Sequence, residues 1–143
     1  MLEVKNVSKQ YKGEDKLLFD AVSDVSLSMA DHRIYALVGE SGCGKSTLSR
    51  LILGLESPSS GQILLDGKPI SRKRKNNRKE TAKEIQLVLQ DGKSALDPHF
   101  TVYQVIAEPL RNLLALPKDK ERSRVYELLD RMELPKESAA KKT

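Results

Sequence analysis

Gly39-Glu40-Ser41-Gly42-Cys43-Gly44-Lys45-Ser46 is the stretch on which the reading of this chain turns. Its spacing is G-x-x-x-x-G-K-[ST]: glycines let a backbone curl until successive N–H groups point inward at phosphate oxygens. Lys45 brings a compact positive charge to the β- and γ-phosphates, Ser46 a hydroxyl ligand for Mg²⁺, and Thr47 a further contact to the α-phosphate. A helix that comes after such a loop aims its positive end at the same anion. With glycine at roughly 7% of residues, the bare pattern arises by chance in on the order of one chain of this size in a few hundred. Its flanks sharpen it. Ile34-Tyr35-Ala36-Leu37-Val38 is a continuous apolar run, which predicts a strand buried on both faces. Leu48, Leu51, Ile52 and Leu55 fall at i, i+3, i+4 and i+7, which predicts a helix over residues 45–55. The G-x-G-x-x-G spacing of dinucleotide-binding folds is absent. Cys43 reads as a small loop residue.

Upstream, Leu2, Val4 and Val7 in a polar frame suggest a first strand, and Val25-Ser26-Leu27-Ser28-Met29 alternates at strand period. Downstream, Ser57-Pro58-Ser59-Ser60-Gly61 is turn chemistry, residues 62–65 read as a strand, and Asp66-Gly67 closes it. Residues 71–79 are polar and basic and read as a loop. Ile85-Gln86-Leu87-Val88-Leu89 reads as another strand, and residues 91–100 as loop. Thr101 is placed to cap a helix reaching Leu114, with Val102, Val105, Ile106 and Leu110 apolar. Residues 119–132 read as a second helix with the stripe Val125, Leu128, Leu129, Met132, and after Leu134-Pro135 the pattern dissolves. Strands dominate the first part of the chain and helices the rest. A parallel sheet begun at Ile34 needs later strands to complete it, and none follow.

The totals set bounds. The chain has 143 residues, 38% of them hydrophobic and 31% charged, with no Trp and two Phe. The length suits one domain, which at this size buries about 68–70% of its unfolded surface. The apolar share is low for a self-sufficient domain, so the core is expected to be aliphatic and thin. The net charge of +5 permits a phosphorylated ligand, an anionic membrane surface or nucleic acid without selecting among them. One cysteine leaves no internal disulfide framework. The N-terminus lacks the apolar stretch of a secretory signal, and no run approaches the ~18 apolar residues of a transmembrane helix. Any membrane association is expected to come through a partner.

The residues around the loop carry a resemblance. The segment from Gly39 to Leu48 resembles the Walker A region of ABC ATPases. Gly54-Leu55-Glu56-Ser57-Pro58-Ser59-Ser60-Gly61, then Ile63 and Asp66-Gly67, resembles the stretch immediately downstream of Walker A in that family. Ile85-Gln86-Leu87-Val88-Leu89-Gln90-Asp91, then Ser94-Ala95-Leu96-Asp97-Pro98, is similar to the Q-loop of importers for peptides and nickel, and Thr101-Val102 and Glu108-Pro109-Leu110 continue the match. The likeness covers nearly the whole chain.

That resemblance implies an α/β, P-loop NTPase fold of the ABC ATPase type, truncated. Residues 1–90 would form the ATP-binding core with an antiparallel β subdomain, and 91–143 the Q-loop and the start of the helical subdomain. Tyr11 would stack on adenine, and Gly39, Glu40, Ser41, Gly42, Cys43, Gly44, Lys45, Ser46 and Thr47 would bind the nucleotide. Gln90 would contact Mg²⁺ with Ser46 and orient the attacking water, a catalytic role, while its loop touches the membrane subunit. The implied cofactors are ATP and Mg²⁺. The implied partners are transmembrane permease subunits and a second ATP-binding subunit, at the cytoplasmic face of the cell membrane and without contact to the transported substrate. This sequence departs from the pattern at Leu89, where an aromatic is usual, at Gly92, where proline is usual, and at Asp97, where asparagine is usual.

No L-S-G-G-Q signature, Walker B carboxylates or switch histidine can be matched; His32 and His99 stand in expected loops. Family members run well beyond 200 residues, so the chain is expected to be a fragment or truncated product. Phosphoryl transfer needs a positioned water and charge stabilisation as well as a cradle. The expectation is weak nucleotide binding and no useful hydrolysis by this chain alone. Arg72-Lys73-Arg74-Lys75-Asn76-Asn77-Arg78-Lys79 holds six cations in eight residues. It reads first as a solvated loop, second as a contact with anionic lipid, and only third as a nucleic-acid surface, because no aromatics interleave it. Alternatives to the importer subunit are a nucleotide-binding module without turnover and a nucleic-acid-associated ABC-type ATPase.

Overall fold

The computed structural model describes residues 1–70, 75–89, 91–92 and 95–143, with the backbone alone for 75–78. The chain divides into two compact units, Met1–Gln86 and Leu87–Thr143.

The first unit is built on a four-stranded antiparallel sheet in the order β2-β1-β3-β4, formed by β1 (Leu2–Lys12), β2 (Leu18–Met29), β3 (Ser60–Leu65) and β4 (Lys68–Pro69). In β1 the apolar period is two at Leu2 and Val4 and then jumps three to Val7. The register with β2 shifts between Val4 and Val7, where Asn6 takes a φ of 48°. That bulge adds one residue and returns Val7 to the core face. Ser26 Oγ accepts from the Asn6 amide at 2.9 Å, and Asn6 Nδ2 donates to Asp24 Oδ1 at 3.1 Å, so the distorted stretch keeps its polar groups paired.

Helix α1 (Lys45–Ile52) lays Leu48 and Leu51 against Val4, Val7, Val22 and Ile63, which together form a small aliphatic core. The helix stops three residues short of the expected end. Gly54 adopts a φ of 65°, a left-handed conformation that ends helices, and the Leu55 amide turns back to the Arg50 carbonyl at 2.9 Å. Leu55 therefore leaves the stripe and is exposed.

Two sequence expectations are corrected in the strands. Residues 34–38 form no strand, and Ile34 and Val38 are 101% and 86% exposed rather than buried. Residues 85–89 form no strand either, and Leu87, Val88 and Leu89 are exposed. An apolar run becomes a buried strand only when neighbours take up its N–H and C=O groups, and among the described residues neither run is paired in a sheet. A third correction concerns the basic stretch expected as loop: α2 (Lys75–Glu84) covers its second half. Lys79, Glu80, Ala82, Lys83 and Glu84 are strong helix formers, and the charge run obscured that propensity. Residues 71–74 lie outside the described residues.

The second unit packs α3 (Val102–Asn112), α4 (Lys118–Arg131) and a 3₁₀ turn (Lys136–Ala140) around Ala107, Leu110, Val125, Leu129 and Ala139. Thr101 caps α3 as expected: its Oγ1 accepts from the Gln104 amide at 3.2 Å, and Gln104 Oε1 accepts from the Thr101 amide at 2.8 Å, a reciprocal capping box. Val125 and Leu129 of the predicted α4 stripe are buried, whereas Met132 lies past the helix end and is exposed. The 3₁₀ turn was not expected. Its Ala139 is buried, and beyond it the Lys141 carbonyl accepts from the Val102 amide at 2.9 Å.

Candidate nucleotide site

Loop 39–46 meets α1 at Gly44, whose φ of 93° is left-handed. A Cβ there would stand 2.2 Å from the Ala21 carbonyl oxygen of β2, so only glycine lets the loop seat against that strand. Gly44 is also the N-cap of α1 and offers no side chain to the helix end. The first turn of α1 thus presents its N–H groups without a capping oxygen, the arrangement an anion satisfies.

Lys45 is the first residue of that helix, and its chain reaches back over the loop. Its ammonium donates to the carbonyl oxygens of Gly39 at 2.8 Å and Glu40 at 2.5 Å, and lies 3.6 Å from Cys43 Sγ. Gly39, Glu40, Ser41, Gly42, Cys43 and Ser46 are exposed, and Gly44, Lys45 and Thr47 half-buried. The site is therefore a surface cradle made of backbone. Clefts of about 340 Å³ beside Leu110, Leu116 and Ser123 and of about 640 Å³ beside Leu65, Ile70 and Thr81 lie at other residues. For a phosphate chain the cradle is the relevant geometry, since the ligand is gripped by N–H groups and one cation rather than enclosed.

Tyr11 belongs to the same surface. It stands opposite Phe19 in the β1–β2 register, with ring centroids 5.8 Å apart. Its hydroxyl donates to Glu56 Oε2 at 2.5 Å. That carboxylate pushes the phenol's pKa up, burial adds to the rise, and the Thr47 hydroxyl and Arg50 oppose it. Glu56 is correspondingly pulled below the usual carboxylate range, first by the Tyr11 hydroxyl and then by Lys9. Tyr11 and Thr47, far apart in sequence, are thus neighbours. In the sequence Glu56 stood out only as part of a segment that matches the family, and Phe19 had no role. No local period links position 56 to position 11; strand register and the turn after α1 bring them together.

The remaining candidate, Gln90, lies outside the described residues, as does Ser94 of the same segment. Among the described residues no group of three or more His, Cys, Asp or Glu side chains could hold a metal ion. The Ser46 hydroxyl at the start of α1 suits Mg²⁺, an ion that keeps waters and phosphate oxygens as most of its ligands. No helix among the described residues is long and apolar enough to cross a membrane.

The family profile described as "ABC transporter" matches residues 22–143. The chain belongs to the ABC transporter family. It is 42% identical over 118 residues to the oligopeptide transport ATP-binding protein OppF of Lactococcus lactis subsp. lactis, covering 82% of this chain and 37% of that protein. It is 43% identical over 113 residues to the nickel import ATP-binding protein NikE of Shigella dysenteriae serotype 1, covering 79% of this chain and 42% of that protein. Among solved structures, the ATP-binding cassette MJ0796 in a dimeric post-hydrolysis state bound to ADP and Pi superposes with a TM-score of 0.80 at 29% identity. The match covers 99% of this chain and 61% of that cassette. CbiO1 from Clostridium perfringens, described as part of the complex cbiONQ, gives 0.72 at 30% identity, covering 99% of this chain and 53% of that one. The ABC chain thus has the mixed α/β cassette fold over well under half the length of its curated relatives and about 61% of a solved cassette.

Proposed function

We propose that this ABC chain is the nucleotide-binding part of the energy-coupling subunit of an importer for peptides, nickel or a metal chelate, and that it binds Mg-ATP at loop 39–46. The observation that carries the reading is the cradle itself: left-handed Gly44, an uncapped α1 and the Lys45 ammonium held over the loop by the Gly39 and Glu40 carbonyls. Lys45 exchanges those two acceptors for β- and γ-phosphate oxygens, Ser46 offers its hydroxyl to Mg²⁺, and Thr47 reaches the α-phosphate. Tyr11 lies against the adenine face. Gln90 contacts Mg²⁺ and the attacking water, and its loop meets the permease.

A second ATP-binding subunit closes over the nucleotide, and because this sequence matches no Walker B carboxylates, signature or switch histidine, this chain alone binds without useful turnover. The residue set supports the reading because phosphoryl transfer requires charge stabilisation from more than the cradle. The peptide and nickel names of the OppF and NikE relatives support the importer class. In the assembled transporter the chain sits at the cytoplasmic face of the membrane through its permease.

Calorimetry with Mg-ATP on this chain and on Lys45→Ala, with folding followed by circular dichroism, tests the proposal. Binding by the wild type that is lost in a folded Lys45→Ala is the expected result. A folded wild type that ignores Mg-ATP would overturn nucleotide binding, and turnover by this chain that Lys45→Ala abolishes would overturn the absence of useful hydrolysis.

A further inference from the structure

The turn after α1 does more than connect α1 to β3. Gly54 ends the helix, and the Leu55 and Glu56 amides fold back to the Arg50 carbonyl at 2.9 and 3.3 Å. This brings the Glu56 carboxylate under the end of β1. There it accepts from the Tyr11 hydroxyl at 2.5 Å and pairs with Lys9 at 3.5 Å and Arg50 at 3.8 Å. Lys9 is locked in turn: its ammonium donates to the Ser57 carbonyl at 2.9 Å and stands 5.0 Å from the centre of the Tyr11 ring. Phe19 meets the same ring across the β1–β2 pair. Tyr11 is thus held at its hydroxyl and along its ring by groups that come from three separate stretches of chain.

We propose that Glu56 is a positioning residue for the adenine platform: by accepting the Tyr11 hydroxyl it fixes the ring in the orientation that receives the base. The proposal rests on the reading that loop 39–46 binds ATP with Tyr11 against the adenine. An aromatic ring near a strand end otherwise loses rotamer freedom when a base stacks on it, and immobilising a side chain weakens binding. Glu56 meets that cost before the ligand arrives. Its side-chain partners, Tyr11, Lys9 and Arg50, lie outside loop 39–46.

The test compares Mg-ATP with Mg-triphosphate, which lacks the base, by calorimetry on the full chain. Glu56→Ala is expected to weaken ATP by roughly fivefold and to leave triphosphate affinity unchanged. Tyr11→Phe keeps the ring but not the hydroxyl, so it should show the same loss, and the two changes together no more than either alone. Glu56→Gln retains an acceptor oxygen and should recover most of the affinity. Equal weakening of ATP and triphosphate in Glu56→Ala would mean that Glu56 only supports the fold of the turn, and unchanged ATP affinity would mean that it does nothing for the ring; either overturns the proposal, as would full additivity with Tyr11→Phe. The underlying reading fails separately: Tyr11→Ala with unchanged ATP affinity removes adenine from Tyr11, and triphosphate binding that survives Lys45→Ala removes the phosphates from the loop.

Discussion

The ammonium of Lys45 donates to the carbonyl oxygen of Glu40 at 2.5 Å, five residues back along the chain. A cation at the start of a helix sits at its unfavourable, positive end, so this contact and its companion to Gly39 at 2.8 Å hold the charge where a phosphate would be welcome. Gly44, whose left-handed backbone turns the loop into the helix, makes that arrangement possible without strain.

Gly44→Ala tests the seat of the loop. The added methyl would stand 2.2 Å from the Ala21 carbonyl oxygen, in a conformation that side chains rarely adopt. The expected outcome is a loss of about 1–3 kcal/mol in stability, read from urea denaturation, together with loss of Mg-ATP binding. Wild-type stability with wild-type binding would show that the loop has another resting geometry.

Thr101→Ala removes half of the capping box at the start of α3. Loss of this N-cap should cost about 1 kcal/mol, and the thermal midpoint should fall accordingly. Thr101→Ser, which keeps the accepting oxygen, should restore most of it; failure of serine to do so would assign the effect to the threonine methyl instead.

Glu121 gives the second unit a pH dependence. Only 2% exposed, it accepts from Arg111 Nε at 2.6 Å and Nη2 at 2.7 Å and from the Tyr103 hydroxyl at 3.0 Å. Arg111 lowers its pKa from the ordinary value of 4.5; burial opposes this and Tyr103 assists it. A carboxyl whose folded pKa is depressed contributes stability that is complete above the unfolded value and is lost as pH falls through the lowered, folded one. The urea midpoint of the helical signal should therefore hold from neutral pH down to about 5 and drop below the ordinary glutamate value. In Glu121→Gln it should start lower at neutral pH and lose less on acidification. An identical acid-induced drop in both proteins would move the effect to other carboxylates.

The exposed run 34–38 should govern solution behaviour. A flat apolar segment with unpaired backbone is a template for association with other chains. Replacing Ile34 and Val38 by Thr keeps β-branching but removes apolar surface. The double variant should show markedly less light scattering at high protein concentration, and unchanged scattering would exclude this run as the sticky surface.

How much was legible in advance divides along a physical line. The Thr101 cap of α3 and the Leu48–Leu51 face of α1 were visible because each depends on residues within one or two helical turns; the reciprocal partner Gln104 came only with the structure. The early end of α1 was not, since the stripe ran on to Leu55 while Gly54 turned the backbone away. The α2 helix was missed because a dense charge run was weighed above the propensity of its Lys, Glu and Ala residues. Gln90 belongs to a segment that the resemblance picked out, but the residue itself lies outside the described residues.

By itself the sequence determined the candidate phosphate loop: the glycine spacing, Lys45 and Ser46 form a local pattern, complete within eight residues. It also determined the amphipathic faces that build two small cores. Tertiary structure alone decided that Tyr11 is clasped by Glu56, that Glu121 is buried against Arg111, and that residues 34–38 and 85–89 stay outside any strand. A loop or a helix satisfies its backbone from its own neighbours in sequence, whereas a strand, a buried ion pair or an oriented ring needs a partner that only the folded chain can bring.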